Sequence, residues 1–165
     1  MPEIRAQQGI DLFLDETEDI LYVKRRNIGA MMSLTTPQMV EIDSVNTPKK
    51  INGSTTAPRL FDFDSPEPGR LRYIGDDPIV TNCAVSLTLQ TSGNNKICNI
   101  YFGKNGQIVT SSRVEVRTAF GADERSATAL FLCEFEKNDY MEIFVENATD
   151  SANITVNSMV VTSRG

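Results

Sequence analysis

The chain has no histidine and no tryptophan among its 165 residues. Missing histidine removes the commonest general base and the commonest transition-metal ligand together, so no Ser-His-Asp or Cys-His scheme fits within one chain. Cysteine is scarce and odd in number: Cys83, Cys98 and Cys133 include no CxxC pair. That spacing marks no zinc site and no disulfide framework of a small secreted domain. No signal-like segment precedes the first residues, which reads as a protein made in a reducing cytoplasm. No apolar run approaches the ~20 residues that span a bilayer, so no membrane partner is expected. Twenty-two acidic against sixteen basic residues leave a net charge of −6, so a broad nucleic-acid-binding surface is not expected either. No motif marks a cofactor or a metal.

Two carboxylate pairs remain for acid–base chemistry, Asp123 with Glu124 and Glu134 with Glu136. Neighbours on a strand point to opposite faces, which separates the first pair. The second shares a face, as residues of any solvated strand do. The expectation is therefore a protein that is not an enzyme, with no catalytic residues. Three Asn-x-Ser/Thr sequons begin at Asn52, Asn147 and Asn153. In a chain rich in these residue types they are composition rather than glycosylation signals.

What is abundant is β pattern. From Ser126 to Ser163 the chain reads as three strands: SATALFLCEFE, DYMEIFVEN and NITVNSMVV. Residues 127, 129, 131, 133 and 135 form one apolar or small face. In the second run Met141, Ile143 and Val145 share a face opposite Tyr140, Glu142, Phe144 and Glu146. Lys137-Asn138-Asp139 is turn chemistry between them. Upstream, Cys83, Val85, Leu87 and Leu89 alternate inward, and Asn105-Gly106 is a strong hairpin signal. About eight strands at spacings of ~8–12 residues predict an antiparallel β-sandwich over residues 70–165.

Residues 1–69 read differently, as an extended N-terminal arm with short strands. IDLF and ILYV suit two short strands around an acidic turn, with a helix over residues 16–26 as the alternative. Lys24, Arg25 and Arg26 form the concentrated basic cluster: a docking point for an acidic partner, or a solvated loop tip. Pro48, Pro58, Pro66 and Pro68, with the run NGSTT, predict extended backbone lying along another surface. Leu60, Phe61 and Phe63 are its expected anchors.

The strings NTPKKINGSTT, GRLRYIGDDP, SLTLQTSGNNKICNIYFGKNGQIV and FEKNDYMEIFVENATDSANITVNSMVV resemble phage virion proteins. Those proteins carry a C-terminal jelly-roll domain of the C1q/tumour-necrosis-factor type. The resemblance covers residues 46–165 and includes no catalytic motif. It implies a jelly-roll-like sandwich and a homotrimer about a threefold axis. The role it implies is a capsid decoration or cement protein, a head fibre or a tail-fibre head.

The expected function is accordingly a non-enzymatic virion structural protein, made in the host cytoplasm and bound to the outer capsid surface. Its partners would be the major capsid protein or another virion protein. The alternative is a receptor-binding or structural module of a tail fibre or spike, although no fibre-shaft heptads or repeats are present. The expected interface residues are Leu60, Phe61 and Phe63 on the arm, Tyr140 and Phe144 on the strand, and Lys24, Arg25 and Arg26.

Overall fold

Residues Ile79–Thr91 alternate buried and open positions almost without interruption, and this long strand organises the molecule. In the computed structural model the described residues are 28–119 and 123–165, preceded by the backbone of two strands, β1 (Ile10–Asp15) and β2 (Ile20–Arg25). These two pair antiparallel with each other, Leu12 opposite Val23. Then follow β3 (Gly29–Leu34), β4 (Gln38–Val40), β5 (Lys49–Lys50), β6 (Thr55–Phe61), β7 (Phe63–Asp64), β8 (Arg70–Tyr73) and β9 (Ile79–Thr91). β10 (Lys96–Lys104), β11 (Gln107–Ile108), β12 (Val114–Thr118), β13 (Arg125–Phe135), β14 (Tyr140–Asn147) and β15 (Ile154–Arg164) complete the chain. Among the described residues the helical element is one 3-10 turn, Thr110–Ser112.

The strands form two antiparallel sheets, as the sandwich expectation required. The first has six strands in the order β13-β9-β15-β3-β6, with β4 paired to β15 beyond the end of β3. The second has seven, ordered β11-β10-β14-β8-β7, with β12 on β10 and β5 on β14. Inward residues fill the space between them. Cys83, Val85, Leu87 and Leu89 meet Ile100, Phe102, Met141, Ile143 and Val145, each at most 2% exposed. Phe63 joins the layers: its ring lies 5.4 Å from Tyr73 and 5.6 Å from Phe135, edge-on to the latter.

Local chemistry sets the corners. Asn105 and Gly106 adopt φ values of 53° and 76°, the left-handed pair that a tight hairpin needs, and Lys104 pairs with Gln107 across it. Asn138 takes φ 74° in the turn between β13 and β14. Asp139 ties these two corners together. It accepts Asn105 Nδ2 at 2.6 Å and the Glu136 N–H at 2.8 Å, and pairs with Lys104 at 2.8 Å.

The division of the chain at residue 70 needs correction. Residues 29–64 are not an arm laid over a finished domain; they supply β3 to β7 and place strands in both sheets. Met32, Val40, Ile42, Ile51 and Phe63 from this stretch are core. The prolines misled because proline is also compatible with an edge strand at a bulge. β6 is such an edge, and its register against β3 shifts between Met31–Arg59 and Ser33–Thr56, which puts Ala57 and Pro58 opposite the single residue Met32.

Candidate functional site: an apolar, charge-poor sheet face

Outward side chains of the first sheet fall into rows fixed by strand register. Leu132, Asn82, Arg164, Gly29 and Phe61 lie side by side across β13, β9, β15, β3 and β6. The next row is Leu130, Ala84, Thr162, Met31 and Arg59. Beyond it come Thr128, Ser86, Val160, Ser33 and Thr56, then Ser126, Thr88 and Ser158. Glu134 and Val80 close the opposite corner. The centre of this face thus holds small, hydroxyl and apolar residues, with charge confined to its margins.

Large apolar side chains stand open there: Leu130 is 79% exposed, Leu132 64%, Val80 53%, Phe61 48% and Val160 40%. Single exposed leucines are ordinary on a protein surface. A cluster on a face whose charge is confined to its margins is the composition of a contact surface. β13 is also an edge strand of 11 residues, with its outer backbone groups unpaired in the sheet.

The outer face of the second sheet is built the opposite way, from polar groups that with one exception are satisfied within the chain. Glu142 is 2% exposed. It accepts Arg70 Nε at 3.1 Å and Arg70 Nη2 at 3.0 Å, and pairs with Lys50 Nζ at 2.6 Å. Glu146 accepts Asn99 Nδ2 at 2.6 Å and the Tyr101 hydroxyl at 2.7 Å. Burial and then the bond to Glu146 push the Tyr101 phenol up to about 12, so it stays a neutral donor. Asn99 Oδ1 has no partner and is sealed from solvent.

The sequence-expected interface residues scatter. Phe63 is 3% exposed and belongs to the core, which removes it as an anchor. Leu60 is half-buried and packs against the same core, while Phe61, on the rim of the first sheet, is 48% exposed. Tyr140 lies under the Arg70 guanidinium, 3.9 Å from ring centre to carbon. Phe144 lies over Gly103, where an added Cβ would sit 2.4 Å from the ring. Both aromatics are half-buried by their own chain. The side chains of Lys24 and Arg25, and all of Arg26, lie outside the described residues.

The carboxylate pairs do not converge. Asp123 pairs with Arg125 at 3.1 Å, Glu124 accepts Asn157 at 2.7 Å, and Glu134 and Glu136 stand exposed. Among the described residues no three His, Cys, Asp or Glu side chains gather as a metal site. Asn147 is fully buried, its Nδ2 donating to Asp150 and to the Ala152 carbonyl, and is closed to glycosylation.

The cysteines are buried free thiols. Burial pushes Cys98 up to about 12. The neighbouring Cys133 thiol, helped by the Thr81 and Ser163 hydroxyls, lowers the Cys83 thiol, while Cys83 and burial raise Cys133.

The open leucines were missed from sequence although a signal for them was present. SATALFLCEFE is apolar at both parities around Leu130, Phe131, Leu132 and Cys133, whereas a strand with one solvated face needs apolar residues at one parity only.

No protein-family model matches the chain, and no curated protein matches it in sequence. Among solved structures it is similar to murine APRIL at pH 8.5, with a TM-score of 0.53 and 8% identity over 83% of this chain and 99% of that one. It is also similar to the TNF protein Eiger from S. frugiperda, with a TM-score of 0.51 and 11% identity over 86% and 94%. Vertex protein P5 of PRD1 matches with a TM-score of 0.45 and 11% identity over 98% and 84%, a likeness too slight to carry an argument. At these identities the matches show the fold, a jelly-roll sandwich of the tumour-necrosis-factor type.

Proposed function

We propose that this chain is a non-enzymatic, homotrimeric structural component of a virion that decorates or cements the outer capsid surface. The observation that carries the self-assembling part is the face bearing Val80, Leu130, Leu132 and Val160, which a single copy leaves in water. Head-to-tail packing about a threefold axis covers one such face per copy in a closed ring. Three identical attachments then reinforce one another on a symmetric surface through effective concentration, without one dominant contact. The virion setting rests on the resemblance of residues 46–165 to phage virion proteins. The partner there is the major capsid protein or another virion protein.

In solution the native mass should be three times the 18.3 kDa of one chain. Residues 1–27 precede the first strand of the sandwich, so their deletion leaves β3 to β15 intact. Deletion as far as residue 45 would remove β3 and β4 and test folding instead. The 1–27 deletion should abolish capsid attachment and preserve the folded domain. Unchanged attachment overturns the proposed role of that segment, and a strict monomer overturns the trimer. The alternative, a receptor-binding module of a tail fibre or spike, predicts that the purified chain adsorbs directly to host cells.

A further inference from the structure

At the β3–β6 end of the first sheet the outer face is hollow. Gly29 sits between Arg164 and Phe61 in one row, and Met31 between Thr162 and Arg59 in the next. With no side chain on Gly29, these residues line an open cleft of about 460 Å³, within the usual range of small-ligand sites. Arg164 borders Gly29 on β15 and Arg59 borders Met31 on β6, two strands apart with about 10 Å between those strands.

The lining chemistry is one-sided. Arg59, Arg164 and Thr162 are its outward polar side chains, all can donate, and no Asp or Glu lines the cleft. Elsewhere among the described residues, all basic side chains but Arg113 are paired: Lys50 and Arg70 with Glu142, Arg72 with Asp64, Lys96 with Asp150, Lys104 with Asp139. Lys49, Arg117, Arg125 and Lys137 also hold carboxylates. The described guanidinium groups left without a carboxylate are those of Arg59, Arg113 and Arg164, and two of these three share this cleft. In a chain of net charge −6, two guanidinium groups without a carboxylate side chain around one hollow favour an anion there. Planar guanidinium groups suit a carboxylate, which takes two parallel hydrogen bonds from one of them. A bare inorganic anion would leave the other wall unused, because Phe61 is 48% exposed and Met31 lies beside it. That wall matches a ring with an apolar C–H face.

The geometry points to a binding site for a carboxylated sugar, with Arg59 and Arg164 on the carboxylate and Phe61 under the ring. This stands independently of the virion reading, and it requires that a neighbouring copy on the same sheet face leave the cleft between β15, β3 and β6 open. The test titrates the full chain with D-galacturonate, D-galactose and inorganic phosphate, followed by backbone amide NMR. Galacturonate should shift residues 29–31, 59–61 and 162–164, with galactose silent and phosphate weaker. Arg59→Ala and Arg164→Ala should each weaken galacturonate about tenfold or more. Phe61→Ala should weaken galacturonate and leave phosphate unchanged. All three side chains are exposed, so the melting temperature should not move. Galactose binding as well as galacturonate, or full affinity in both arginine variants, overturns the site. Phosphate matching galacturonate overturns the sugar. If the double arginine variant only lowers the native mass and no probe binds, the arginines serve a neighbouring copy and the proposal falls.

Discussion

Replacing Leu130 and Leu132 together by threonine separates self-association from folding. Threonine brings a β-branch that suits a strand and removes most of the apolar surface. Full burial of a leucine contributes about 1.5–3 kcal/mol. The two side chains expose 79% and 64% of themselves, together close to one and a half leucines available to a partner. Their loss therefore costs a contact between copies about 2–4 kcal/mol, a thirtyfold to nearly thousandfold weakening at about 1.4 kcal/mol per decade. The cost to one chain's own stability is within about 0.5 kcal/mol, since neither leucine enters the core. Sedimentation velocity across a dilution series reads the first quantity, and urea unfolding at a concentration where the variant is monomeric reads the second. An unchanged mass distribution refutes the assignment of this face. A loss of more than about 1 kcal/mol in the monomer refutes the exposure on which the reasoning depends.

Glu142→Ala leaves Lys50 without a carboxylate and Arg70 with Glu67 alone beside a buried gap, and unfolding in urea should show a loss of about 3 kcal/mol; a loss below about 1 kcal/mol would mean that water already screens the cluster. Burial alone would raise the Asp139 carboxyl, but its bonds from Lys104, Asn105 and the Glu136 N–H outweigh burial and lower it, while Lys96 and the Ala152 N–H lower Asp150. Both carboxylates therefore contribute stability that is complete above the unfolded value of about 4 and lost as pH falls through the lower folded values. Asp139→Asn should flatten that acid limb in a melting-temperature series, and an unaltered slope contradicts the linkage. Cys83, Cys98 and Cys133 are at most 6% exposed, so a thiol reagent should label none in the native chain and all three in urea; native labelling of any one shows that its strand opens.

Much of the fold was legible because a strand's side-chain period is two, and burial of one face makes that period visible. β9, β13, β14 and β15 are 13, 11, 8 and 11 residues long, enough for the alternation to show, and Asn105-Gly106 marked its hairpin through the φ values that only such residues adopt readily. β4, β5 and β7 have two or three residues each, too few for any period, and Pro58 lowers the strand signal of β6 while sitting harmlessly at its bulge. Residues 29–64 therefore looked like an arm. Phe63 was misplaced for the same reason: its burial depends on Tyr73 and Phe135, 10 and 72 positions away in the chain.

By itself, then, the sequence determined an antiparallel β architecture, the inward faces of its long strands and the absence of histidine-based chemistry, all of which follow from local periodicity and composition. Only the tertiary structure decided that Glu142 and Glu146 are buried and satisfied while Leu130 and Leu132 stand in water. It alone brought Arg59 and Arg164, more than a hundred residues apart, to one hollow beside Gly29. Those outcomes are set by which strands are neighbours and in what register. Strand adjacency arises from the burial of a shared core, to which no short stretch of sequence holds the key.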